Sequence, residues 1–309
     1  MRLDSTVVAL TSCPEYARQP LADSIELVVA ALDQVANLHS CSVLLKPNLI
    51  TARYGSLPCT EPAFMLAVAR WLVDQGARVT IGDSPALGTA TAALHTLGIA
   101  GELAALGVRI TDFNRARNVS LAGGGKAGVA VHALECDLLV NLPRVKAHAQ
   151  TRLTLAVKNC FGCLVGLRKP WWHMAYGGKN GSFSDRLVQL LDVLTESITL
   201  VDGITAMHET GPIHGSPYPL HLLAASSNPV AMDCALLQVL DVDSKESPLM
   251  QACLAAGHSG AEFSQLNFPL ATPVKFQVSD FQVPDALIPI RFNLFRFFKS
   301  TVKRVLMSR

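Results

Sequence analysis

Short β-branched runs alternate with longer stretches whose apolar residues recur at helical spacing. Val7–Leu10, Ser42–Lys46, Arg78–Ile81, Val108–Thr111, Asp137–Val140, Ile198–Val201 and His221–Ala225 read as strands. Ser24–Val35, a segment opening at Glu61-Pro62 and running to about Gln75, Ala90–Leu97, Asp185–Glu196 and Val230–Leu240 read as helices. Pro62 takes the first-turn position, where its missing N–H costs no helix bond. Strands alternating with helices predict an α/β fold, a mostly parallel sheet covered by helices on both faces. To this the sequence adds a Gly-rich, basic central insertion and a C-terminal amphipathic helix. No internal repeat or long linker interrupts the pattern, so one α/β domain over residues 1–285 and a tail over 286–309 are expected.

Composition narrows the class. The chain has 309 residues, half of them hydrophobic and only 16% charged, enough apolar surface for a packed core. A net charge of +2 gives no reason to expect a nucleic-acid partner. The charge is nevertheless uneven: all 24 acidic residues lie at or before Asp285, while six of the 26 basic ones follow it. The tail also holds four of the 12 Phe. At helical spacing Leu294, Phe295, Phe298, Val302, Val305 and Leu306 share a face, with Arg296, Lys299, Lys303 and Arg304 mainly beside or opposite it; Arg291 and Phe297 fall on the wrong face. Two readings stay open: a helix lying on an anionic bilayer through residues 291–309, or one docked on the protein's own core.

No apolar run approaches the 18 or more residues of a membrane span. Leu10-Thr11-Ser12-Cys13 resembles a lipoprotein cleavage box, but Asp4, Ser5 and Thr6 leave only Val7–Leu10 as its apolar stretch. A cytoplasmic protein, peripheral at the membrane if the tail binds there, is the expectation.

The strand ends carry the candidate chemistry. Ser42–Lys46 stops at Pro47-Asn48, Arg78–Ile81 runs into Gly82-Asp83-Ser84-Pro85, Asp137–Val140 into Asn141-Leu142-Pro143-Arg144-Val145-Lys146, and Ile198–Val201 into Asp202-Gly203. Ligands of open α/β sheets bind outside the carboxyl ends of the strands, where Lys46, Asn48, Asp83, Ser84, Asn141, Lys146 and Asp202 are placed to meet. Each alone is also an ordinary turn residue. Residues 141–173 add Arg144, Lys146, His148, Arg152, Lys158, Arg168, Lys169 and His173 without one acid. So many cations point to a small anionic ligand, carboxylate or phosphate. Apolar Leu153–Val157 predicts that Lys158 and Asn159 emerge from a buried element, where Lys158 serves as base or anion anchor. His148 and His173 are candidate acid/base groups or ligands.

Eight cysteines are present, and Cys160 and Cys163 form a C-x-x-C within KNCFGC. That spacing points to a metal, a cluster or redox chemistry, and thiolates beside many cations should have a lowered pKa. A four-ligand site needs partners from elsewhere in the chain. Other motifs fail: Gly123–Lys126 lacks the upstream Gly of a P-loop and is followed by Ala127, and neither G-x-G-x-x-G nor G-x-S-x-G occurs where it would act. The segment VDGITAMHETGPIHG carries Asp202, His208, Glu209 and His214 among turn residues.

The series LLKPNLI, VTIGDSPALG, LLVNLPRVKAH, TLAVKNCFGCLVGLRKPWWH, LVDGITAMHETGP and SSNPVAMDCALLQVL resembles the family called domain of unknown function 362, in order from about Val43 to Gly260. Members of that family are often joined to a ferredoxin module with two [4Fe–4S] clusters, which implies redox metabolism and a ferredoxin-like partner. This chain lacks the ferredoxin cysteine run, so a cluster here falls to Cys160 and Cys163. The layout from His148 to His173 is also similar to lactate racemase-like proteins, which bind a nickel-pincer nucleotide and move a hydride at a 2-hydroxy acid. That likeness implies a cofactor-anchoring Lys158 and proton transfer by His148 or His173.

Three functions follow as expectations. The first is a redox-linked protein with an iron–sulfur cluster or divalent metal on Cys160 and Cys163, acting on or sensing a small anion. The second is an isomerase or transferase for a small carboxylate or phosphate, using Lys158 with His148 or His173. The third is a membrane-associated accessory protein. For the third, deletion of residues 286–309 is expected to release the protein from anionic vesicles in a sedimentation assay; unchanged co-sedimentation removes the idea.

Overall fold

The computed structural model describes residues 5–32, 37–166, 172, 176 and 182–288. Arg168, Lys169, His173 and the proposed tail helix lie outside the described residues. A nine-stranded sheet forms the frame, in the order β1-β11-β10-β7-β2-β3-β4, with β8 beside β10 and β9 beside β8. These strands are β1 (Ala9–Ser12), β2 (Ser42–Pro47), β3 (Arg78–Asp83), β4 (Arg109–Asp112), β7 (Leu138–Leu142), β8 (Arg144–His148), β9 (Arg152–Thr154), β10 (Ser197–His208) and β11 (Ser216–Ser226). Strands β5 (Ala116–Ser120) and β6 (Lys126–Ala130) form a separate antiparallel hairpin from the Gly-rich centre. Parallel pairing links β4, β3, β2, β7 and β10, and β8 to β10, whereas β1, β11 and β10 pair antiparallel. The sheet is thus mostly parallel, as the strand–helix alternation predicts.

Alternation along each central strand divides two cores. Val43 and Leu45 of β2 enter one core, with Val79, Ile81, Val140 and Leu142. Helices α1 (Arg18–Ala30), α2 (Pro62–Asp74), α3 (Ala90–Thr96) and α4 (Ala100–Ala105) cover it. Leu44 and Leu139 enter the other, under α6 (Ala156–Asn159), α7 (Ser182–Leu191), α8 (Pro229–Val239) and α9 (Pro248–Ala255). Helix α5 (Val131–Glu135) follows β6. Phe64, Met65, Val68, Ala69 and Leu72 make one face of α2 at helical spacing. Burial of both faces is what gives parallel strands their near-continuous apolar runs. No helix among the described residues is long and apolar enough to cross a membrane.

Two sequence expectations change. Helix α1 starts at Arg18 rather than Ser24, because Leu21 extends the Ile25–Val28–Val29 stripe upstream and Ser24 is buried inside the helix. The stretch after Leu142 is not a strand-end turn: Pro143 bends the chain, and β8 continues beside the second half of the 12-residue β10. The Asp202 N–H donates to the Pro143 carbonyl at 2.9 Å, which fixes that bend.

A buried acid ties α6 to α8. Asp233 accepts from the N–H groups of Ala156 at 2.7 Å and Val157 at 3.2 Å. Burial pushes its carboxyl up to about 8 against these two bonds. Asp233→Leu leaves both N–H groups without an acceptor and is expected to cost about 1–3 kcal/mol, read as a lower urea midpoint. A folded pKa above the unfolded value of 3.8 means that this carboxyl supports the fold most below about pH 4 and progressively less up to about pH 8. Wild type should therefore lose stability relative to Asp233→Asn across that window; parallel pH–stability curves would contradict the assignment.

Candidate functional site at the carboxyl edge of the parallel strands

A polar row crosses the buried sheet. Lys46 of β2 pairs in register with Asn141 of β7, which pairs with Thr199 of β10. All three are buried. Neither face opens to water here, so these groups must bond to one another. The Lys46 ammonium lies 3.1 Å from Asp83 Oδ1 at the end of β3 and donates to the Pro47 carbonyl at 2.9 Å. Asp83 is held in turn by the N–H groups of Leu49 at 2.9 Å and Ser84 at 2.8 Å.

Asn159, the last residue of α6, closes the row from above. Its Nδ2 donates to Asn141 Oδ1 at 2.8 Å, and its Oδ1 accepts from Asn48 Nδ2 at 2.9 Å and from Lys46 Nζ at 3.4 Å. Asn141 Nδ2 donates to the Ala156 carbonyl at 3.1 Å, so both ends of α6 are tied to one asparagine. The chain then turns through a 3-10 segment, Cys160–Cys163. A Cβ on Gly162 would lie 2.3 Å from both Asp83 Oδ1 and Lys46 Nζ, so only glycine lets this backbone sit on the ion pair.

Strand β8 supplies a second polar line. All five of its residues are buried. Val145 joins the core under α6 to α9, while Arg144, Lys146 and His148 alternate onto the opposite face. Arg144 Nε donates to the Thr205 carbonyl at 2.7 Å, and its Nη1 donates to Cys59 O at 2.9 Å and Glu61 Oε2 at 3.2 Å. Asp202 lies 3.8 Å from Arg144 Nε and accepts from the Tyr16 hydroxyl at 2.6 Å and the Glu61 N–H at 2.9 Å. Burial, with Asp202 beside it, pushes the Tyr16 phenol up, so it stays a neutral donor.

Lys146 differs from both neighbours. Its ammonium donates to Asn48 Oδ1 at 2.6 Å, Pro58 O at 2.7 Å and Pro212 O at 3.5 Å, all of them uncharged. No carboxylate among the described residues forms an ion pair with it. Burial pushes it down to about 8. Thr154, its cross-strand partner on β9, is buried, and its hydroxyl has no hydrogen-bond partner. His148 Nδ1 accepts from the N–H groups of Gln150 at 3.1 Å and Thr151 at 3.3 Å, so the neutral ring carries its proton on Nε2.

The predicted residues therefore divide. Lys46, Asn48, Asp83, Asn141, Lys146 and Asn159 form one connected network, with Ser84 attached through its N–H. Asp202 belongs instead to the Arg144–Tyr16–Glu61 group. Lys158 is buried with its ammonium 4.5 Å from the Phe161 ring centroid and 5.8 Å from that of Phe183. Cys160 and Cys163 are buried, and the expected lowering of the thiol pKa is reversed: burial, then Cys163, pushes Cys160 up. Among the described residues no group of three or more His, Cys, Asp and Glu is gathered to hold a metal. Sequence reasoning passed over the anchoring of Arg144, Tyr16 and Glu61, as well as Thr154 and Asp233. The period-two alternation of Arg144-Val145-Lys146-Ala147-His148 was the available signal for β8, and an acid inside the apolar run PVAMDCALLQV was the signal for Asp233.

The sequence profile described as Domain of unknown function (DUF362) matches residues 43–238. The chain belongs to the DUF362 family. The match starts in β2 and ends in α8, and so encloses the Lys46 row, β8, the C-x-x-C turn and Asp233. Thylakoid-associated protein sll1697 of Synechocystis sp. is 33% identical over 300 residues, covering 96% of this DUF362 chain and 93% of that protein. Among solved structures, the lactate racemase apoprotein of Thermoanaerobacterium thermosaccharolyticum aligns with a TM-score of 0.43 at 12% identity, over 65% of this chain and 51% of that one. A Thermotoga maritima protein aligns with a TM-score of 0.43 at 13% identity, over 67% and 55%. The chain thus spans about half the length of these two structures.

In this DUF362 chain, Gly162→Ala should force Lys46 and Asp83 apart or displace the turn. Overpacking of this kind costs about 1–3 kcal/mol. A fall in Tm is expected, and it should shrink in the double variant Lys46→Ala/Asp83→Ala, which removes the side-chain atoms that the new Cβ would meet. Equal penalties in both backgrounds would show that the close approach is not what requires glycine.

Proposed function

We propose that the chain binds a small carboxylate or phosphate at the carboxyl edge of its parallel strands and acts on it by proton transfer, as an isomerase or transferase. The observation that carries this reading is the set of partners around Lys146. Lys46 is matched by Asp83, and Arg144 by Asp202 and Glu61, whereas the ammonium of Lys146 meets only neutral oxygens. A buried cation without an internal counter-ion is stabilised either by an anionic ligand or by losing its proton. The orphaned hydroxyl of Thr154 supports a ligand at the same place. With a pKa of about 8, Lys146 exchanges a proton near neutral pH. His148, with Nδ1 fixed and Nε2 carrying the proton, supports a general acid–base role on the same strand face. Lys158 and His173 complete the proposed set as anion anchor and second proton-transfer group. The basic tail supports peripheral contact with an anionic membrane, in line with a relative named as thylakoid-associated.

The test is calorimetric titration of the full chain with a panel of small mono- and dicarboxylates and inorganic phosphate. Affinity is expected to be level below about pH 8 and to fall as pH rises through that value, because the ammonium is the binding form. Lys146→Met should abolish this binding, and Lys146→Arg should retain it while removing the fall; near-UV circular dichroism checks that both variants are folded. Cys160→Ala should leave binding unchanged. If Lys146→Met binds as wild type does, the reading fails. Loss of binding in Cys160→Ala, together with stoichiometric iron and acid-labile sulfide, reverses it in favour of a cluster protein with a ferredoxin-like partner.

A further inference from the structure

Near the amino-terminal ends of β2 and β4 the sheet carries polar groups of a different kind. In register across β2, β3 and β4 stand Leu44, Thr80 and Arg109. A cavity of about 190 Å³ separates these strands from α5, lined among others by Thr80, Arg109, Arg115, His132, Glu135 and Cys136. Arg109 Nε donates to Thr80 Oγ1 at 3.4 Å. Among the described residues neither Arg109 nor Arg115 forms an ion pair, and Glu135 of the same cavity is engaged by Arg117.

His132 is the second, independent observation. Its ring stacks on Phe113 with centroids 6.0 Å apart and an interplanar angle of 15°. Nε2 lies 3.3 Å from Thr111 Oγ1, while Nδ1 is buried and has no partner. Burial, then Arg109 and Arg115, hold this imidazole below its ordinary value, with Glu135 opposing them. When Nε2 accepts from the Thr111 hydroxyl, the neutral ring carries its proton on Nδ1, a buried donor that lacks an acceptor. Arg109 of the sheet, Arg115 of the loop before β5 and His132 of α5 thus line one cavity from three sides. A planar carboxylate is satisfied by one guanidinium fork; donors from three directions suit a tetrahedral oxyanion.

We propose that the cavity between β3, β4 and α5 is a binding site for a phosphate group, free or carried by a small monoester, held by Arg109, Arg115 and Nδ1 of His132. It is separate from the Lys146 site, which lies at the carboxyl ends of the strands. Occupancy places an anion between three cationic or donor groups and so raises the pKa of His132.

The experiment follows the His132 ring resonance of the full chain, assigned by its loss in His132→Gln, while inorganic phosphate or glycerol 3-phosphate is titrated against a constant chloride background. A saturable shift is expected, with the His132 titration midpoint moving upward. Arg109→Gln and Arg115→Gln should each weaken binding roughly tenfold, as loss of a charge-assisted bond does. Lys146→Met should leave the affinity seen at His132 as it was. Tighter binding of the monoester assigns the site to a phosphorylated ligand, and tighter binding of phosphate assigns it to the free anion. The proposal is overturned if neither ligand shifts the His132 resonance saturably, or if both arginine variants bind as wild type does.

Discussion

Lys46 is wholly buried at the end of a strand covered on both faces, so every bond to its ammonium has to come from inside the fold. Asp83 supplies the charge, Pro47 a carbonyl and Asn159 an amide oxygen. Each partner comes from a different stretch of chain, so satisfying one ammonium fixes the end of β3, the end of α6 and the turn after it. Gly162 then rests on the ion pair itself. A fold could cover these strand ends with apolar side chains at no cost in hydrogen bonds. Keeping an ion pair and three amides there fixes the positions of α6 and the C-x-x-C turn relative to the sheet, which is how a buried polar network specifies one arrangement.

That arrangement sets up an asymmetry among the cations of the carboxyl edge. Lys46 and Arg144 are both close to carboxylates, and both serve the architecture: one holds α6, the other holds the loop before α2 to β10 through Cys59, Glu61 and Asp202. Lys146 differs from both, bonded to an amide and two carbonyls. Its oxygen partners lie on the segment after β2 and on the loop between β10 and β11. Gly211 of that loop packs so tightly on β8 that a Cβ there would meet the Ala147 carbonyl at 1.8 Å. The loop's position, and with it the Pro212 carbonyl, is therefore set by backbone contact rather than by side chains.

The strand–helix alternation in the sequence was enough to read the sheet, the two covering layers and most central strands, because apolar period and strand-terminating Pro, Asn and Gly are local signals. The connected network of Lys46, Asn48, Asp83, Asn141, Lys146 and Asn159 was also legible, since strand ends in an α/β fold converge on one edge. Its internal wiring was not. Arg144, Lys146 and His148 were read as part of a basic stretch following a strand end, because charge dominates composition, whereas the alternation with Val145 and Ala147 marks a strand. Asp202 was grouped with the wrong partners because register, not residue type, puts it opposite Arg144. Cys160 was expected to be a thiolate on the strength of nearby cations, but burial desolvates the thiol and pushes its pKa up instead.

The same reasoning explains why an acid as buried as Asp233 persists in α8. Helix α6 has only four residues, too few to be stable alone, and its first N–H groups have no local cap. Asp233 provides the acceptors across space, while Asn141 takes the Ala156 carbonyl from the opposite side. Residue 156 is thus held at its N–H by α8 and at its carbonyl by the sheet, and Lys158 and Asn159 follow within one turn. The placement of the candidate site therefore rests on two side chains, Asp233 and Asn141, that need never touch a ligand.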